Sequence, residues 1–287
     1  WSWLTSEENT TQNMMNHATQ GTYPPGSTFK LITLLEYIRE NPDTWQDFHY
    51  TCTGTYTNGD YVVNCHDGVA HGELDIYGIL GMSCNGAFDT IAQTLNSTKW
   101  QKLAEDFGYN QSDRSQVDFP YKKSHFDIAS DDSVWSRMQL AIGQGTTTVT
   151  PLLNLMMYAA IANDGVMMTP YLVDHYLDAD GNVVEQTKPK ALRSVCTKAE
   201  AELMDEFLTY VITNGTAAAG GSQYARVSGK TGSAQYDSTK NYHAWFCGYG
   251  TNDVSEIAVC VMIEKGGAGG IVAAPVAGQI FDYYFSR

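Results

Sequence analysis

Basic residues are scarce in this sequence: 17 lysines and arginines stand against 32 aspartates and glutamates, a formal charge of −15. A polyanion such as DNA or RNA would be repelled on approach, and no basic stripe is present to release counterions, so nucleic-acid binding is excluded. There is no uninterrupted apolar run of the roughly 18 to 20 residues that a bilayer-spanning helix needs, and no charged-then-apolar segment opens the sequence. Internal repeats, low-complexity tracts and Pro/Ser linkers are also lacking, which argues against a string of modules. What is present is ample core-forming material, 43% hydrophobic residues in a chain of 287, enough for one large domain or two intimately packed lobes.

The cysteines at 52, 65, 84, 196, 247 and 260 form no paired C-x-x-C sets with histidines, so no metal site is expected from their spacing. His17, His66, His71 and His243 read as satisfied or surface side chains on the same ground. Cys52 and Cys65 flank a hairpin read from Tyr56-Thr57-Asn58-Gly59-Asp60-Tyr61. Two alternatives stay open there: a disulfide, or two neighbouring free thiols.

Tyr23-Pro24-Pro25-Gly26 bars a helix and then allows a turn, after which residues 27–40 carry a largely apolar helical pattern. Residues 74–80 and 87–95 also read as helices, separated by the polar break Ser83-Cys84-Asn85-Gly86. Helices are expected at 152–162 and 197–214, the latter stopped by Gly215. Strands are expected at 230–235, 244–249 and 256–263, with a closing helix at 274–284. Helices in the middle and strands late make an α/β sheet with an added helical lobe. The Gly-rich run at 266–270 lacks the helix and lysine context of a phosphate loop and reads as flexible.

Three polar clusters stand out. Ser27 and Lys30 lie one turn apart on one helix face, so an amine desolvated by apolar neighbours could take the proton of a hydroxyl that is otherwise a poor nucleophile. The helix start adds backbone N–H groups able to hold an oxyanion. Ser83-Cys84-Asn85 offers a second hydroxyl for proton relay and an amide that both donates and accepts. Lys230-Thr231-Gly232-Ser233, on a predicted strand, offers a cation and hydroxyls for a carboxylate, with Gly232 expected to admit a ligand close to the backbone. Taken singly, each is commonly a helix cap, a turn or a strand start. S-x-x-K, S-x-N and K-T-G in this order, on a helix start, an inter-helix loop and a strand, point instead to one acyl-transfer site.

The surrounding residues sharpen this into a resemblance. Ala18-Thr19-Gln20-Gly21-Thr22-Tyr23-Pro24-Pro25-Gly26-Ser27-Thr28-Phe29-Lys30 is similar to the nucleophile segment of the penicillin-binding transpeptidases, especially the monofunctional class B enzymes. His71-Gly72-Glu73-Leu74, Ile142-Gly143-Gln144-Gly145, Thr150-Pro151, Ala162-Asn163-Asp164-Gly165, Gly229-Lys230-Thr231-Gly232-Ser233-Ala234-Gln235 and His243-Ala244-Trp245-Phe246 extend the similarity along nearly the whole chain. The resemblance implies an antiparallel sheet flanked by helices, an all-helical lobe, and an active site between them. It also implies that residues 1–287 form one transpeptidase domain cut short at its N-terminal end, with the upstream strands, pedestal domain and membrane anchor absent.

By the same resemblance Ser27 would attack the carbonyl between two terminal D-alanines of a peptidoglycan stem peptide, with Lys30 taking its proton and Ser83 protonating the departing amine. Asn85 would bind the stem peptide; Lys230, Thr231, Gly232 and Ser233 would receive its carboxylate. The N–H groups of Ser27 and Ser233 would form the oxyanion hole, and Tyr236 would border the groove. No cofactor or metal is implied. The expected partners are peptidoglycan stem peptides, β-lactam antibiotics and a membrane glycan polymerase, at the extracytoplasmic face of the bacterial membrane. Two other readings share features: a serine β-lactamase or β-lactam-sensing receptor domain, and a catalytically silent cell-wall scaffold.

Overall fold

The computed structural model describes residues 14–65, 68–111, 117, 119–239 and 241–287; His66 lies outside them. After a short helix α1 (His17–Gln20), residues Gly26–Phe29 form a 3-10 turn that runs into α2 (Lys30–Glu40). Every side chain of α2 from Lys30 to Glu36 is buried, as expected of a helix apolar on nearly all sides.

Next come β1 (His49–Cys52), β2 (Thr55–Asn58), β3 (Tyr61–Asn64), β4 (Gly72–Asp75), α3 (Ile76–Gly81), α4 (Asn85–Ala92), α5 (Ser97–Asp106) and α6 (Val134–Ala141). The hairpin read from sequence is β2 paired with β3 around Gly59, whose φ of 60° is the conformation such a two-residue turn demands. Leu74, expected at a helix start, instead belongs to β4, which pairs with β1 in the register Cys52↔Gly72. The helix begins one residue past Asp75, whose carboxylate caps it by accepting from the Gly78 N–H at 2.7 Å. The lobe is therefore helical apart from these two strand pairs.

The chain continues through α7 (Pro151–Ala162), β5 (Val166–Met168), β6 (His175–Leu177), β7 (Val183–Gln186), β8 (Ala191–Ser194) and α8 (Lys198–Asn214), the last with a capping box between Thr197 and Glu200. It closes with β9 (Arg226–Gln235), β10 (Tyr242–Thr251), β11 (Glu256–Ile263) and α9 (Gly269–Phe285). These three strands, expected from the late strand pattern, form an antiparallel sheet in the order β11-β10-β9, the arrangement that the resemblance implied. Alternation along β10 sends Phe246 toward Phe281 of α9, while Tyr249 on the opposite face donates to Asp205 of α8 at 2.6 Å. Helices thus cover both faces. The run at 266–270, read as flexible, is partly the start of α9, and Gly269 is held there: a Cβ would stand 2.4 Å from the Gly232 carbonyl oxygen.

Among the described residues no helix is long and apolar enough to cross a membrane. β9 lies at the sheet edge, and its outer side receives the 3-10 turn that carries Ser27.

Candidate active site

The nucleophile turn is clamped from three directions. Thr28 donates to the Pro25 carbonyl at 2.9 Å, receives the Asn154 amide at 3.1 Å, and its own carbonyl accepts from Tyr158 at 2.9 Å. Trp245 of β10 donates its indole N–H to the Pro24 carbonyl at 3.1 Å, and the Gly26 N–H reaches the Gly143 carbonyl at 2.9 Å. Gly26 has φ +56°, and a Cβ there would stand 2.9 Å from the Cβ of Ala234. Gly26→Ala is therefore expected to lose about 2 kcal/mol or more, from the left-handed backbone and the clash together. Urea denaturation measures this; an unchanged midpoint would mean that the turn is not pressed against β9 as described.

Ser27 is half-buried at the centre of this clamp, and its hydroxyl makes no hydrogen bond among the described residues. Lys30 is fully buried, with its ammonium 2.8 Å from the Ser83 carbonyl oxygen, 3.2 Å from Ser83 Oγ and 2.7 Å from Asn85 Oδ1. Burial lowers its pKa to about 8, so the neutral amine is accessible near physiological pH. Ser83 sits at φ +53°, a conformation that costs a non-glycine residue about 1–3 kcal/mol and that clusters at functional sites. Asn85 donates its amide N–H to the Asn64 carbonyl at 2.8 Å, so its oxygen is aimed at Lys30 and the hairpin fixes its orientation.

The strand cluster lies on the other side of Ser27. Lys230 is fully buried, donates to the Thr231 carbonyl at 3.1 Å, and has its pKa pushed well down by burial and by the charge of Lys30. The two amines thus share one electrostatic environment. Thr231 shares a hydrogen bond with Thr216 at 2.9 Å, and Ser233 Oγ accepts from the Gly269 N–H at 3.0 Å. Gly232, expected to admit a ligand to the backbone, does something else: a Cβ there would meet the Pro25 carbonyl at 3.0 Å and Thr28 Cγ2 at 3.3 Å, so its bareness lets the nucleophile turn dock on the strand. Tyr236, the residue after β9, is half-buried and stacks on His243, with ring centroids 4.5 Å apart. Ser27, Lys30, Ser83, Asn85 and the Lys230–Ser233 stretch therefore converge.

Three features were not read from the sequence. Gln144, in the amide orientation that satisfies both partners, bridges the Gln235 carbonyl at 3.0 Å and N–H at 3.3 Å, tying the Gly143–Gly145 loop to the edge of β9. Asp89 is buried without a hydrogen-bond partner among the described residues, burial raising its pKa while the charge of Lys30 opposes the rise. Tyr23 links His17, 2.5 Å away, to Glu264, 2.6 Å away, beside the nucleophile segment.

Of the two alternatives left open for the hairpin cysteines, the structure has the second. Cys52 and Cys65 are free thiols with sulfurs 3.6 Å apart, and Cys84 at 3.8 Å from Cys65 and His71 Nδ1 at 3.3 Å from Cys52 lie in the same space. Side chains whose spacing gave no hint of a metal site thus lie with their donor atoms within 4.8 Å of one another.

A serine, a buried amine and a second serine on a helical lobe, facing a K-T-G edge strand of an antiparallel sheet, define an acylating-serine fold of the penicillin-interacting class. Comparison with known proteins agrees: the family model described as the penicillin binding protein transpeptidase domain matches residues 4–282, and the chain belongs to that family. It is 27% identical to the peptidoglycan D,D-transpeptidase MrdA of Acinetobacter baumannii over 301 residues, covering 96% of this chain and 44% of that protein. The D,D-transpeptidase domain of a peptidoglycan glycosyltransferase from Eggerthella lenta superposes with TM-score 0.82 at 28% identity, over 93% of this chain and 66% of the other. Penicillin-binding protein A of Mycobacterium tuberculosis shares the fold with TM-score 0.87 at 23% identity, over 100% of this chain and 66% of the other. The chain spans about half the length of the curated relatives it matches, from 41% to 55% for the first three.

Proposed function

We propose that this domain is a serine D,D-transpeptidase, which cross-links peptidoglycan stem peptides through an acyl-enzyme on Ser27 and is acylated at the same atom by β-lactams. The observation that carries the reading is the position of Lys30, buried, one turn from Ser27 and bonded to both Ser83 and Asn85. The neutral Lys30 amine takes the Ser27 proton as Oγ attacks the carbonyl carbon of the penultimate D-alanine. The N–H groups of Ser27 and Ser233 stabilise the oxyanion, an effect often worth two to three orders of magnitude in rate. As the intermediate collapses, Ser83 passes a proton to the departing D-alanine amine, and Lys30 resupplies Ser83 across their 3.2 Å contact.

Asn85 positions the stem peptide. Thr231 and Ser233 receive its terminal carboxylate beside the buried Lys230, whose Nζ donates to the Thr231 carbonyl at 3.1 Å. Tyr236 lines the groove where β9 ends. An amine from a second stem peptide then attacks the acyl-enzyme, forming the cross-link and freeing Ser27. This chemistry belongs outside the cytoplasmic membrane, where peptidoglycan lies, and a membrane glycan polymerase supplying the strands is the natural partner of the whole protein.

A chromogenic cephalosporin tests the reading. One equivalent of chromophore per chain, released in a burst and followed by slow turnover, is expected. Rapid multiple turnover would make the domain a β-lactamase, and no burst at all would leave the silent scaffold.

A further inference from the structure

Four side chains lie together at the Ser83–Asn85 loop and take no part in the proposed acyl transfer. Cys52 ends β1, Cys65 follows β3, His71 precedes β4, and Cys84 stands between Ser83 and Asn85. The three cysteines are 3%, 4% and 0% exposed, while His71 is half-buried and turns Nδ1 toward Cys52. Three thiols and an imidazole of this kind match the donor set of structural zinc sites.

The distances can be set against the edges of a coordination tetrahedron. With metal–sulfur bonds of about 2.3 Å and a metal–nitrogen bond of about 2.0 Å, sulfurs stand about 3.8 Å apart and sulfur and nitrogen about 3.5 Å apart. The separations here are 3.6 Å for Cys52–Cys65, 3.8 Å for Cys65–Cys84 and 3.3 Å for Cys52–His71, with all four donor atoms within 4.8 Å of one another. Disulfide formation would join only two of the three sulfurs and discard this arrangement. Backbone amides point inward as well: the Gly54 N–H donates to Cys52 Sγ at 3.4 Å, and those of Asn85 and Gly86 face Cys65. Such N–H···S contacts surround thiolate ligands and orient them.

We propose that Cys52, Cys65, His71 and Cys84 bind one zinc ion, and that this ion clamps the hairpin to the Ser83–Asn85 loop so that both catalytic side chains are held in register with Lys30. Binding releases the three thiol protons to solvent and leaves the site with one negative charge, three thiolates against a divalent cation. The ion is structural: four protein ligands leave no open position for substrate or water.

The clamp has a route to the catalytic residues. Cys84 is covalently joined to Ser83, which is held at φ +53°, and to Asn85, whose amide bonds the carbonyl of Asn64, the neighbour of Cys65. On the far side Cys52 is paired with Gly72, next to His71. One ion therefore ties three separate segments to the loop with which Lys30 makes three of its contacts. This second part of the proposal rests on the transpeptidase reading, whereas the metal site does not.

The test begins with the reduced chain purified without chelator, its metal measured by inductively coupled plasma mass spectrometry. About one zinc per chain is expected. Protein stripped by chelator and titrated with cobalt(II) is expected to develop thiolate-to-cobalt charge transfer and intense tetrahedral d–d bands, which Cys65→Ser and His71→Ala weaken or abolish. Reduced wild-type protein that holds no zinc after zinc dialysis and gives no such bands overturns the site, as does a Cys52–Cys65 disulfide in every preparation.

Labelling by a fluorescent penicillin then compares the stripped and reloaded wild-type chain. Stripping is expected to slow acylation about tenfold or more, and zinc to restore it. Equal rates with zinc bound and removed would overturn the clamp while leaving the site standing. No labelling in either state, in a chain shown to take up zinc on reloading, would count against the transpeptidase reading alone.

Discussion

Lys30→Met is expected to slow acylation by a penicillin about 10²–10⁴-fold, the range for loss of a positioned general base. The substitution keeps an unbranched side chain of similar length in the buried site beside Phe88. Its structural cost is local: the Ser83 carbonyl and Asn85 Oδ1 each lose a donor, worth about 1–3 kcal/mol apiece where burial is complete. A melting curve bounds that loss. Stopped-flow labelling separates the initial non-covalent complex from the covalent step, and the account requires the covalent step to carry nearly all of the change. A variant that still folds and acylates within a few fold of the parent would assign proton abstraction to another group.

The pH dependence of acylation follows from the same amine. Burial is the largest cause holding Lys30 below the usual lysine range, at about 8. In the proposed mechanism the reactive form is the neutral amine. The fraction neutral therefore rises tenfold per pH unit below this value and levels off above it, so acylation at pH 6 is expected to be about a hundredfold slower than on the alkaline plateau. The sign is informative. A group that had to be protonated would produce a fall with rising pH over the same interval. Rates measured from pH 6 to 9.5 with a β-lactam stable across that range would give the limb, which Lys30→Met should flatten. A profile already flat from pH 6 would mean that the amine is not the titrating base.

Much of this site was legible because its parts are carried by local rules. Gly26 after two prolines, a serine at a helix start and a lysine one turn later need only helical geometry to be brought together. The three late strands were legible because period and turn residues agree, and the sheet they form is the expected antiparallel one. Gly232 was read as room for a ligand, yet the room is taken by Pro25 and Thr28, a fact that depends on how two distant segments dock. Leu74 was read as helical because its neighbours are apolar, whereas pairing with Tyr50 on β1 overrides that local preference.

The cysteine and histidine cluster was the least legible feature. Its members occupy positions whose spacing matches no zinc motif, and only the β1–β4 register and the folding back of the β2–β3 hairpin bring them together. The usable signal was a cysteine inside the S-x-N loop. Asp89 and the bridge made by Gln144 were hidden for the same reason, since nothing in sequence distance places them beside Lys30 or Gln235.

Peptide mapping by tandem mass spectrometry after exposure to penicillin locates the reacting atom itself. One adduct of the intact antibiotic mass on the peptide bearing Ser27, lost in Ser27→Ala, is the expected result. An adduct on Ser83 or Ser233, or no adduct on a chain that melts cooperatively, would contradict the assignment of Ser27 as the nucleophile.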